Sequence, residues 1–135
     1  MNKCILNKNC FKNWSALFFE NSAVPRILSV FAPIDINAIT IGPFVFCRDT
    51  ISKTTRSHEN IHWQQYLDLF IILFPVLYYY YWFKYLILTK NSKSAYYLIP
   101  FEREAYSNQE DLDYWKNRKR FSWLKYRGLK YESKD

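Results

Sequence analysis

The chain has 135 residues, half of them hydrophobic, which suits one domain, 1–135, able to bury a core without disulfide or metal staples. Three cysteines, Cys4, Cys10 and Cys47, show no CxxC or other metal-ligand spacing, so they are poor material for a disulfide framework and a reducing, cytoplasmic compartment is expected. The net charge of +7 is concentrated late in the chain, and residues 1–14 lack an apolar run long enough for a secretory signal.

Residues 1–36 are weakly patterned, with a short apolar patch over 14–19 and turn-like Pro25 and Pro33. From 37 to 47 the string NAITIGPFVFC is rich in β-branched and aromatic residues and too short for a stable helix, so a strand is expected. Gly42-Pro43 interrupts it. Proline cannot donate to a sheet ladder, so the strand should lie at an edge or carry a bulge. Asp49 and Ser52 then offer N-cap oxygens to a helix running through Thr54, His58 and His62.

That helix carries 58-HENIH-62, with the only two histidines of the chain. Residues four apart share a helix face, so His58 and His62 can reach one ion. Glu59 sits one position round from His58, beside such an ion rather than on it, where it can act as general base toward a water that the metal activates. The pattern is the HExxH arrangement of zinc hydrolases.

Beyond it, 69–83 contains no charge, and with Lys84 tolerated the apolar run reaches Leu88, close to the roughly 20 residues of a bilayer span. Pro75 lies near its middle, where it would kink or break a helix. A polar turn is expected over 89–94, followed by a helix opening at Pro100. Here PFEREAY supplies the carboxylates that a third ligand requires. Glu102 and Glu104 project about 200° apart, so only one can face the site. Glu102 is preferred, because Ala105 at i+3 keeps that face small where two helices must meet, and Glu104 is the alternative. A straight helix over 54–88 would leave Leu88 on the order of 39 Å from His62, too far for the 14 residues to Glu102 to return comfortably. A bend or reversal near Pro75 is therefore expected.

The segment 116–135 reads as a basic aromatic tail, with Lys116, Arg118, Lys119, Arg120, Lys125, Arg127, Lys130 and Lys134 among Phe121, Trp123, Tyr126 and Tyr131. Such a tail suits an anionic membrane surface, or forms a solvated face whose aromatics pack inward. Nucleic acid ranks last as a partner, since no RNP, zinc-finger or helix-turn-helix signature accompanies the charge.

HENIH followed by Glu102-Arg103-Glu104-Ala105 resembles the gluzincin branch of zincin metalloproteases, and the pairing of Gln64-Gln65 with FEREA resembles small uncharacterised bacterial zincin-like proteins. The resemblance covers residues 39–114. It implies Zn2+ on His58, His62 and Glu102, Glu59 as base, and an edge strand over 38–46 along which a peptide docks. Tyr106 replaces an Asp that often follows this motif, leaving Tyr106, Asp111 or Asp113 to steady a ligand histidine.

The expected fold is therefore α+β and mostly helical: an edge strand, an HExxH helix, a bent apolar helix and a third-ligand helix. The expected function is a zinc-dependent metallohydrolase acting on peptide or protein substrates, with Tyr106, four residues beyond Glu102, as a candidate oxyanion donor. The alternative is a non-catalytic membrane-associated or partner-binding module whose metal is structural or absent. Cys47 as a closing fourth ligand would mark a structural zinc; as a buried strand residue it would not. The apolar hairpin is either a core helix pair or a monotopic insertion at the inner face of the membrane.

Overall fold

A computed structural model describes residues 14–32 and 34–128. Expectations resting on Cys4, Cys10, Pro33, Lys130, Tyr131 and Lys134 lie outside the described residues. The strand expected over 37–47 is a hairpin. Strand β2 (Ala38–Ile41) and strand β3 (Phe44–Cys47) pair antiparallel, with Thr40 opposite Val45. Gly42 takes φ +57, which primed two-residue turns require, and proline's fixed negative φ at position 43 selects type II′ over I′. Pro43 thus closes a turn and interrupts no ladder. Strand β1 (Leu17–Phe19) adds parallel to β3, giving the order β1-β3-β2. The free edge expected over 38–46 is accordingly confined to β2, because Phe44 to Phe46 are paired on both sides.

Helix α1 (Val24–Ser29) leads from β1, and helix α2 (Lys53–Asp68) follows β3. Ser52 caps α2, its hydroxyl accepting from the Thr55 amide at 3.1 Å, while Asp49 instead faces Arg26 on the surface. From Ser57 to Tyr66 every residue of α2 is buried, although most are polar. Each therefore needs a partner. Asn60 accepts from the Ala16 amide at 3.0 Å and so anchors the approach to β1, and Tyr66 donates to the Thr40 carbonyl at 3.1 Å and holds β2.

Helix α2 ends where the Ile71 amide reaches back to the Tyr66 carbonyl at 2.7 Å, the six-to-one bond of a Schellman stop. The residue after the cap is usually glycine. Here Phe70 and Ile71 take φ +54 and +68. The chain then turns by 110° into helix α3 (Leu73–Thr89). The turn lies at 69–72, ahead of the position expected from Pro75. Pro75 sits in the first turn of α3, where its missing N–H would have had no partner in the helix.

Helix α4 (Ser92–Leu98) occupies much of the segment expected as a polar turn, capped by Asn91 Oδ1 accepting from the Ser94 amide at 2.9 Å. It packs along α3 and hands over to helix α5 (Pro100–Asn108), which opens with Pro100 as expected. Phe101 on α5 is fully buried between Phe74 and Trp123, with ring centroids at 4.8 and 4.7 Å. Helix α6 (Tyr114–Asn117) and a 3-10 turn (Ser122–Tyr126) complete the chain described. As far as residue 128 this segment is no free tail, since Trp115, Arg118 and Trp123 are buried. The fold is mixed α+β and mostly helical. No single described helix is long and apolar enough to cross a membrane.

Candidate metal centre

His58 and His62 leave α2 from one face, and Glu102 meets them from the first turn of α5. Their Nε2 atoms are 3.0 Å apart. Glu102 Oε1 lies 3.3 Å from His62 Nε2, and its Oε2 lies 3.4 Å from His58 Nε2. Donors around a tetrahedral zinc at about 2.0–2.1 Å stand about 3.3 Å from one another. The three side chains, all more than 90 % buried, therefore stand at the spacing that such an ion requires. Glu102 Oε2 is also a buried oxygen without a hydrogen bond. A buried carboxylate oxygen in that state calls for a cation.

The surrounding hydrogen bonds aim these ligands. Gln65 uses its amide nitrogen on the Phe101 carbonyl at 3.0 Å and on Glu104 Oε2 at 2.8 Å. Its Oε1, 2.8 Å from His62 Nδ1, must then accept, so His62 holds a proton at Nδ1 and, when neutral, turns a bare Nε2 to the site. Gln109 Oε1 lies 2.9 Å from His58 Nδ1 and sets that ring likewise. Two bare Nε2 atoms at 3.0 Å repel unless a proton or a cation lies between them. Burial pushes the His62 pKa down, but the Glu102 carboxylate and its hydrogen bond outweigh this and raise it to about 9. For Glu102 the cost of burial is overcome by the two neighbouring imidazoles, His62 foremost through its charge, which hold its pKa well below the usual carboxylate range. Tyr78 donates to Glu102 Oε1 at 2.7 Å, and burial beside that carboxylate keeps the phenol protonated.

Glu59 is buried next to the ligand face but outside the ligand group, and its Oε2 accepts from the Thr40 hydroxyl at 2.5 Å. The edge strand thus fixes the carboxylate that HExxH chemistry uses. Tyr106 is on the rim, 39 % exposed, with its ring 4.6 Å from that of His58 and its hydroxyl 3.2 Å from that of Tyr96. Burial raises the Tyr106 pKa to about 12, so it is a donor at neutral pH. Glu104 turns away, onto Arg118, Gln65 and Tyr114. Cys47 lies in the sheet core and is no member of the ligand group, and burial lifts its thiol to about 11.

Asp111 and Asp113 are exposed surface residues, and the positions behind the histidines are held by Gln65 and Gln109. No protein-family model matches the chain, and neither a curated protein nor a solved structure is significantly similar to it. The sequence reading missed four side chains: Gln109, Tyr78, Thr40 and Tyr96. Only Gln65 carried a signal, as part of the Gln pair after HENIH. A cleft of about 470 Å³, lined in part by Asn37, Lys93, Tyr97 and Tyr106, opens beside the rim.

Proposed function

We propose that this protein is a zinc-dependent hydrolase of peptide bonds, with His58, His62 and Glu102 as ligands, Glu59 as general base and Tyr106 as oxyanion donor. The observation that carries this reading is the convergence of three buried donors at zinc spacing around the orphaned Glu102 Oε2. The ion would supply Lewis acidity and bring the pKa of a bound water to about 7. Glu59 would serve there as general base, holding the proton on its carboxylate for the leaving amine. The Thr40 hydroxyl occupies Glu59 Oε2, leaving Oε1 for the transfer. The Tyr106 phenol, protonated at neutral pH, can move from Tyr96 to the developing oxyanion at the mouth of the cleft. A peptide would lie against the free edge of β2, whose Thr40 already touches the base.

We assign the protein to the cytoplasm, peripheral or monotopic at the inner face of the membrane. The support is a stretch from Leu69 to Phe101 with three lysines and no acid. The depth of the ligands favours a second reading, a non-catalytic module with a structural metal. Glu59→Gln separates the two. Zinc should be retained, while turnover of a fluorogenic peptide library by the zinc-loaded protein should fall by about 10²–10⁴-fold. Full activity in that variant would refute the mechanism, and zinc binding with no turnover by the parent would favour the structural reading.

A further inference from the structure

Helix α3 is apolar on most of its circumference, with Lys84 its one charge, a pattern that in folded chains accompanies burial on most sides. Its inner half is covered, since Phe74 and Tyr81 are buried and Phe74, Tyr78, Tyr81, Trp82 and Tyr85 pack on or within the core. The outer half is bare. Val76, Tyr79, Tyr80, Phe83, Ile87 and Leu88 are 57–68 % exposed and recur at helical spacing. With Leu73 they form a stripe about 22 Å long. It begins at the turn that presents Phe70 and Ile72, 75 % and 76 % exposed.

That turn carries a second signal. Phe70 and Ile71 hold positive φ, which is costly for a bulky or β-branched side chain and free for glycine. Large apolar residues stand where the backbone alone would favour glycine, and Phe70 points outward. Exposed contiguous apolar surface of this extent marks a contact.

The charge around the stripe says which contact. From Leu69 to Phe101 the only charged residues are Lys84, Lys90 and Lys93, all exposed. Lys84 and Arg127 line one groove with Tyr80, Tyr85 and Leu124 along the margin of the stripe. A second copy of the chain would set these cations against each other with no acid from either stripe to pair them. An anionic bilayer answers both features: acyl chains meet the apolar stripe, phosphates meet the margin, and Tyr79 and Tyr80 suit the headgroup level.

The geometry points to the outer face of α3 and the turn at 70–73 as a docking surface for an anionic phospholipid bilayer, with α3 lying in the plane of the interface. The 110° bend and the packing of its inner half keep the helix from crossing. This inference rests on the peripheral membrane placement proposed above and does not depend on hydrolysis. It would bring the metal centre to within about one helix diameter of the lipid, because Tyr78 on the inner half of α3 holds Glu102.

The test is flotation of the full chain with phosphatidylcholine vesicles and with mixed phosphatidylcholine and phosphatidylglycerol vesicles. The chain should float with the anionic vesicles, less with the neutral ones, and less again near 1 M salt, where the screening length is about 3 Å. The pair Val76→Glu and Phe83→Glu should weaken binding at least about tenfold. Ile87→Glu with Leu88→Glu is an independent pair that should do the same, each pair keeping its helical circular dichroism because the sites are exposed. Lys84→Glu with Arg127→Glu should remove the preference for anionic vesicles. A parent that stays with neither vesicle type, variants that float like the parent, or a stable dimer dispersed by either glutamate pair would overturn the inference. Zinc content measured on the same samples keeps the two readings apart, since its absence would count against the metal centre alone.

Discussion

The two faces of α3 and its neighbours reverse the ordinary rule of burial. On the inner side, His58, Glu59, His62, Gln65, Asp68, Glu102, Glu104 and Arg118 are all buried, while on the outer side Val76, Phe83, Ile87 and Leu88 meet solvent. The polar seam is closed upon itself. Arg118 donates to Glu104 at 2.8 Å and to Asp68 at 2.9 Å, Glu104 accepts from Gln65, and Gln65 accepts from His62. Among the described residues of this network Glu102 Oε2 is the buried side-chain atom left without a hydrogen bond, and it is at the ligand group. The apolar stripe has no partner along its length among the described residues. The contrast teaches that an unmet need, polar inside or apolar outside, is where a binding event is to be sought.

Breaking the seam far from the metal should produce the largest effect. Arg118→Met leaves Glu104 a buried carboxylate without its cation and Asp68 with only the longer contact to the exposed Arg120 at 3.8 Å, and should cost about 3–5 kcal/mol in urea denaturation. A loss below about 1 kcal/mol would mean the network is solvated and the contrast overstated. A smaller change comes from the seam's link to the ligands. In Gln65→Leu the side chain stays apolar and close in size, but His62 loses the acceptor that fixes its tautomer. Zinc affinity should drop about 10–100-fold with the fold intact. An unchanged affinity would assign Gln65 to packing only.

The pH dependence sharpens the same point through its sign. In the metal-free protein the His62 pKa is raised from 6.5 to about 9 by Glu102 and its hydrogen bonds against the penalty of burial. Its contribution is fully present below pH 6.5 and is lost as pH rises through about 9. A metal needs the neutral imidazole, so zinc affinity should rise over that same interval. Melting temperature should therefore fall from pH 6.5 to 9 in the metal-free protein and should not fall in the zinc-loaded one. Parallel curves would show that His62 does not bind the ion.

Local signals were legible and long-range ones were not. The i,i+4 histidines, the Ser52 cap, Pro100 at a helix start and the opposed directions of Glu102 and Glu104 all follow from helix geometry, and they place the ligand group. Gln109 and Tyr78 reach His58 and Glu102 across 51 and 24 residues of chain, a distance that no periodicity encodes. Arg118 reads as one more solvated charge in a basic run, because only the tertiary fold supplies Asp68 and Glu104. The hairpin left a trace in Gly42-Pro43, but two apolar strings of four residues on either side also suit one interrupted strand, so the dipeptide reads equally as an edge or bulge. The α2 stop was hidden for a different reason: Phe70 and Ile71 hold the left-handed positions where glycine would have announced it.

Three side chains of the polar seam stand where they could hold a metal ion, proposed above to be zinc. Elemental analysis of the purified protein after zinc reconstitution, beside His62→Ala, Glu102→Ala and Glu104→Gln, tests that proposal most directly. The account predicts about one zinc per chain in the parent and in Glu104→Gln, and none in the two ligand variants. A parent without metal after reconstitution, or ligand variants that keep it, would contradict the account.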